Sequence, residues 1–240
     1  FAFVGNSFKA EDLRILASIC KAGAEELVAR KDKGISQPAD LKGKRIGVTR
    51  HSATEYSLMK FLVFNGLSTR DLTIVDLPPA QMVQGLLSGE IDAFASWDVW
   101  VVEGKNQLKD NAVSWPTRMG QEDYWLLSTR KSTIDSRPET VKRLLNALFQ
   151  AQDLAAEQAD IAQSILRRHS KNGPTAVRYS WDNNKYVVTL DQGLLDVLED
   201  EADWKIKSGG LAVSPPPNYL HFIWSDGIDA IRPSANTIFR

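Results

Sequence analysis

Between residues 44 and 100 short strand-like runs alternate with helical ones, and that alternation restricts the fold more than any other feature of the chain. "RIGVT" (Arg45–Thr49), "LTIVDL" (Leu72–Leu77) and "IDAFASW" (Ile91–Trp97) have the length and composition of buried strands. Between the first two, "SATEYSLMKFLVFNG" places Leu58, Phe61, Leu62 and Phe64 on one helical face and closes on Asn65-Gly66, residues that tolerate a left-handed helix end. Between the second and third, "PAQMVQGLLSG" has proline in its first turn and glycine at its end. Strand–helix–strand–helix–strand with short links predicts a parallel sheet with right-handed crossovers.

The flanks are of two kinds. "LRILASI" (Leu13–Ile19) and "EELVARK" (Glu25–Lys31) read as strands, and the opening "FAFVGNSF" reads as an apolar strand stopped by a Gly5-Asn6 turn. After residue 120 the pattern turns helical. A strand at Tyr124–Arg130 is followed by at least two helices in "PETVKRLLNALFQAQDLAAEQADIAQSILRRH". "KYVVTL" (Lys185–Leu190) reads as a further strand, then a long helix starts at Leu190-Asp191 and stops at Gly209-Gly210. A last helix is predicted from near Pro217. No low-complexity segment or long linker interrupts the order.

Composition removes several classes of function. The 240 residues are 43% apolar and 25% charged with a net charge of −1, so no field of one sign favours nucleic acid or an anionic membrane. No apolar run approaches the ~20 residues of a membrane-spanning helix. The lone cysteine, Cys20, excludes an internal disulfide and a multi-cysteine cluster. His51, His169 and His221 lie far apart without metal-ligand spacing, so neither a metal nor another cofactor is expected. There is no G-x-S-x-G, no phosphate-binding loop, no Cys–His pair and no recognisable general acid/base spacing, and an enzyme is not expected.

Three blocks carry a resemblance: "DLKGKRIGVTRHSATEYSLMKFLVFNGL", "LTIVDLPPAQMVQGLLSGEIDAFASWDVW" and "YWLLSTR…RPETVKRLLNALFQA". In their order and spacing the chain resembles the periplasmic substrate-binding proteins of ABC importers for aliphatic sulfonates, taurine and nitrate, grouped with the binders of thiamine pyrimidine precursors. The resemblance implies an α/β, two-lobe periplasmic-binding-protein type II fold whose ligand is clamped between the lobes, with hinge closure as the mechanism. Residues 41–119 match the second lobe, and 1–40 with 120–240 the first and the crossing strands. "FAFVGNSF" resembles "IDAFASWDVW", each a small-and-aromatic run entering a polar turn, and so matches the third strand of a first lobe lacking its leading strands and helices. On that expectation an uncovered sheet edge would favour self-association. The partners implied are a small-molecule ligand and an ABC permease, or the transmembrane segment of a sensor if the domain belongs to a receptor. The location implied is periplasmic or extracellular.

Candidate binding residues lie where predicted strands end. After Thr49 the turn His51-Ser52-Ala53-Thr54 opens a helix, whose first amides and positive dipole end suit an oxyanion. Ser52 and Ala53 match the family's turn, and His51 stands where the family has glycine. Ser52-Ala-Thr-Glu55 equally fits a capping box that occupies the same amides without a ligand. His51 fits either a partial positive charge for an anion or a block to the close approach glycine permits. Trp97 and Asp98 match the family's Trp-Asp/Glu, where an aromatic wall is expected. Trp97 serves equally as helix–sheet packing; Asp98 is either a helix cap or, facing the cleft, a charge that disfavours anions and argues for an amine-bearing or cationic ligand. Asn6 and Ser7 would be the first-lobe counterparts, and Tyr124 a residue of the cleft floor or of the core.

Overall fold

The alternation predicted for residues 45–97 is present in the computed structural model, which describes residues 1–211 and 215–239. The chain begins with helix α1 (Ala2–Ser7) and strands β1 (Leu13–Ala22) and β2 (Glu25–Arg30). Next come β3 (Arg45–Val48), α2 (Ala53–Phe64), β4 (Thr73–Asp76), α3 (Pro79–Ser88), β5 (Ala93–Trp97) and α4 (Asp98–Leu108). Two strands follow, β6 (Ala112–Pro116) and β7 (Asp123–Arg130). The helices α5 (Lys131–Ser136), α6 (Pro138–Glu157), α7 (Ala159–His169) and α8 (Pro174–Asn183) lead to the short strand β8 (Asn184–Lys185). The described part closes with α9 (Gln192–Lys207) and α10 (Asp226–Ile231).

The chain divides into two units: residues 1–22, 122–168 and 184–240, and residues 23–121 with 169–183. The second unit holds a five-stranded sheet in the order β4-β3-β5-β2-β6. β3 is parallel to β4 and β5, as expected, whereas β2 is antiparallel to both β5 and β6. Residues 23–40, expected in the first lobe, fall in this unit: the two ladders of β2 hold Glu25–Arg30, and Ile35 is buried in the core beneath α2. Alternation along β2 sends Leu27 and Ala29 to a core with Ile46, Val48, Leu58 and Phe61, and Val28 to a core on the other face with Met82, Leu86, Phe94 and Val101. Helix α2 therefore covers one face while α3 and α4 cover the other.

The first unit holds a three-stranded sheet, β7-β1-β8, with both outer strands antiparallel to β1. Its core gathers Ile15, Leu16, Leu145, Phe149, Leu194, Leu198 and Tyr219. Three expectations change in this unit. "FAFVGNSF" is a helix rather than a strand: Phe3, Val4 and Ser7 are the buried residues, a helical spacing that turns one face inward. A six-residue apolar run satisfies either period, and the helix closes its own hydrogen bonds. The strand expected at Lys185–Leu190 shrinks to β8, after which Thr189 and Leu190 form only isolated bridges. The terminal helix is a short 3-10 turn at Tyr219–Phe222 followed by α10. Helices α5 and α8 and strand β6 were not anticipated. No helix among the described residues is long and apolar enough to cross a membrane.

Candidate ligand-binding edge of the five-stranded sheet

In the second unit the chain leaves β3, forms β4 on one side of it, and returns to form β5 on the other, with α2 and α3 on opposite faces of the sheet. The carboxyl ends of β3 and β5 thus flank a topological switch point, the place where open α/β sheets bind ligands. Because β2 is antiparallel and β6 reverses again, the start of β2 and the end of β6 lie at this same edge. The residues gathered here are the turn after Val48, Glu25, Trp97-Asp98 and Thr117-Arg118.

Two observations single this edge out. The first is backbone conformation: His51 (φ 58°), Asp98 (φ 38°) and Met119 (φ 49°) all take the left-handed region favoured by glycine, and each follows a strand that ends here. Among the described non-glycine residues only Lys109 also does so, after α4. Strain of this kind gathers at functional sites. The second is buried polarity. Among the buried polar residues described in this unit, Glu25, Thr54, Glu55, Ser57, Ser96, Thr117 and Arg118 lie at or next to this edge, and only Asp92 lies at the opposite one, held by Arg45.

The polar groups form a network centred on Glu25, which the sequence patterns did not flag. Its carboxylate accepts from Arg118 Nη2 at 2.8 Å, Ser57 Oγ at 2.7 Å and Thr54 Oγ1 at 3.2 Å. Ser57 Oγ also lies 3.2 Å from Thr117 Oγ1, and the Thr117 amide donates to the Glu25 carbonyl. Thr54 and Ser57 are one helical turn apart on α2, so both hydroxyls reach the same carboxylate. Glu25 is the direct cross-strand partner of Trp97. The structure therefore brings Thr54 and Trp97 together around a residue distant from both in sequence.

At the head of α2 Ser52 caps the helix, but Glu55 reaches back to the His51 amide and does not close a reciprocal box on the Ser52 amide. Ser52 Oγ accepts from the Glu55 amide at 3.2 Å and donates to the Thr49 carbonyl at 2.6 Å, while Glu55 Oε2 accepts from the His51 amide at 2.6 Å. The Ser52 hydroxyl is spent on the backbone, and Ala53 begins the helix. The exposed His51 occupies the left-handed turn position that glycine would hold without strain. Asp98 heads α4 without capping it through its side chain; its carboxylate accepts from Ser180 Oγ of α8 at 2.9 Å. Burial raises the Asp98 pKa above the usual carboxylate value, and the Ser180 hydrogen bond only partly opposes this. On the next strand, burial also acts to raise Glu26, but hydrogen bonds from Lys105, Ser114 and Tyr179 outweigh it and hold the group ionised.

In the first unit the remaining candidates have separate surroundings. Asn6 is exposed at the end of α1. Ser7 is buried and donates to the Val4 carbonyl at 2.9 Å. Tyr124 donates to Asp191 Oδ1 at 2.8 Å, and the same carboxylate caps α9 and pairs with Lys21 at 2.8 Å. Burial and the neighbouring Asp191 both raise the Tyr124 pKa. Cys20 is 1% exposed within β1.

A shallow groove of about 320 Å³ between α4 and α8 is lined by Lys105, Tyr179, Arg178 and Asp182 among others. Its charges are matched internally, Arg178 with Asp182 and Lys105 with Glu26. Among the described residues no group of three or more His, Cys, Asp or Glu could hold a metal ion.

Comparison with known proteins gives the edge a context. Residues 4–162 match the family described as NMT1/THI5 like. The taurine-binding periplasmic protein of Escherichia coli strain K12 is 34% identical over 154 residues, covering 61% of this chain and 45% of that protein. The periplasmic aliphatic sulphonate binding protein SsuA of the same species superposes with a TM-score of 0.78 at 17% identity, over 92% of this chain and 72% of that one. The desulfurization enzyme DSZB has the same fold, with a TM-score of 0.68 at 18% identity, over 93% and 80%.

Proposed function

The chain belongs to the NMT1/THI5-like family, and on that premise we propose that it is a solute-binding protein that captures a small organic anion, of the sulfonate type, for an ABC permease. The observation that carries the reading is the concentration of buried polar groups and left-handed residues at the carboxyl edge of the five-stranded sheet. Buried polarity is costly, and a fold that needed only stability would replace much of it with apolar packing. Trp97 offers an apolar wall beside the Glu25–Arg118 pair, which suits a ligand with a charged head and a short aliphatic body. The similarity to a taurine binder and to an aliphatic sulphonate binder supports the same ligand class. It also supports a periplasmic or extracellular location.

The DSZB fold favours one competing reading, an enzyme acting on a sulfur compound. A version of that reading with a cysteine nucleophile has only Cys20 to use, and Cys20 is buried inside β1. Calorimetric titration and thermal unfolding with taurine, aliphatic alkanesulfonates, nitrate and a pyrimidine separate the possibilities. A sulfonate at ~100 times its Kd stabilises the fold by about 2.7 kcal/mol and is recovered unchanged. The reading fails if no anion of the panel raises the unfolding temperature, or if the sulfonate is consumed.

A further inference from the structure

Arg118 is the one buried cationic side chain among the described residues, 6% exposed, at the end of β6 on the edge described above. It is followed at once by Met119 in a left-handed conformation, so the backbone bends sharply where this side chain is set. Its guanidinium meets Glu25 at 2.8 Å, and Glu25 is itself fixed by the hydroxyls of Thr54 and Ser57 and by a backbone ladder opposite Trp97. The carboxylate thus has a single position, and a guanidinium held against it has few rotamers left to lose when a ligand arrives.

We propose that Arg118 recognises the ligand's anionic head and that Glu25 is its positioning residue, so that this edge selects oxyanions over uncharged molecules of the same shape. The assignment rests on the reading of the edge as the ligand site and deepens it. The guanidinium is planar, permanently charged and weakly hydrated, which matches a sulfonate better than an ammonium would. The Glu25–Trp97 cross-strand pair puts charged head-group recognition and an aromatic wall side by side on the face covered by α2. Head and body of a short alkanesulfonate then have distinct contacts. Ser52, whose hydroxyl is committed to Thr49 and Glu55, has no part in the selection.

The test compares methanesulfonate with its uncharged isostere dimethyl sulfone by titration calorimetry, using the wild-type chain, Arg118→Gln, Arg118→Lys and Glu25→Gln, with circular dichroism to establish folding. The wild type binds the sulfonate about 10- to 100-fold more tightly than the sulfone. In Arg118→Gln that ratio falls to near unity, while sulfone affinity changes little. Arg118→Lys, which keeps the charge and serves if the glutamine variant fails to fold, loses about tenfold on the sulfonate because the planar donor set is gone. Glu25→Gln weakens sulfonate binding while keeping a preference for the anion. Folded Arg118 variants with an unchanged ratio make the pair purely structural and overturn the assignment, leaving the solute-binding reading intact. A wild-type chain that binds the two compounds equally, or binds neither, overturns anion selection at this edge altogether.

Discussion

His51, Asp98 and Met119 each hold a backbone conformation that costs of order 1 kcal/mol or more for a residue with a side chain. Asp98 carries a second cost, since its carboxyl is partly buried with one hydroxyl donor and its pKa is raised. The folded chain therefore favours the protonated form. The stability this group contributes is present below the ordinary carboxylate pKa of about 3.9 and is lost as pH rises through the higher folded value. Asp98→Asn keeps an acceptor for Ser180 and removes the charge. Its unfolding temperature, followed by circular dichroism, should exceed that of the wild type at pH 7, and the gap should close as pH falls toward 4. An equal or lower unfolding temperature at pH 7 would show that the carboxylate is better solvated than its burial implies. At this scale the placement of Thr54 at a helix start and of Trp97 at a strand end was legible, because such positions can be read locally. Glu25 and Arg118 were not. Their pairing depends on β2 inserting antiparallel between β5 and β6, and no local period records that event.

Among the elements, α4 shows how closely the helical layer approaches the sheet. A Cβ at Gly104 would come within 2.7 and 2.9 Å of the Phe94 ring, and Phe94 is fully buried on β5. Gly→Ala inside a helix gains up to about 1 kcal/mol in propensity. Overpacking a closed core costs about 1–3 kcal/mol. With the ring fully buried, Gly104→Ala should destabilise the chain by about 1–2 kcal/mol in chemical denaturation. A stabilised variant would mean that α4 can lift from β5. The elements between residues 45 and 97 were readable because each has a strong period of its own and a turn residue at its end. Those that escaped are short or depend on partners: α1 satisfies two periods at once, β8 is two residues long, and β6 exists through its ladder with β2.

At the scale of the whole molecule, two units each close their own core, and the chain passes between them repeatedly: residues 22–23, 121–122, 168–169 and 183–184 are the crossings. The alternating order of strands and helices was enough to indicate an α/β fold, whereas the return of residues 169–183 to the second unit leaves no signature in composition. Ligand capture is the property that joins these scales, because the edge that would perform it is built from four strands and one helix of a single unit. Amide chemical-shift mapping with taurine tests this most directly. Shifts should centre on Thr54, the Trp97 indole, Thr117, Arg118 and Met119. Saturating taurine that leaves these signals in place, or moves only those of the α4–α8 groove, would contradict it.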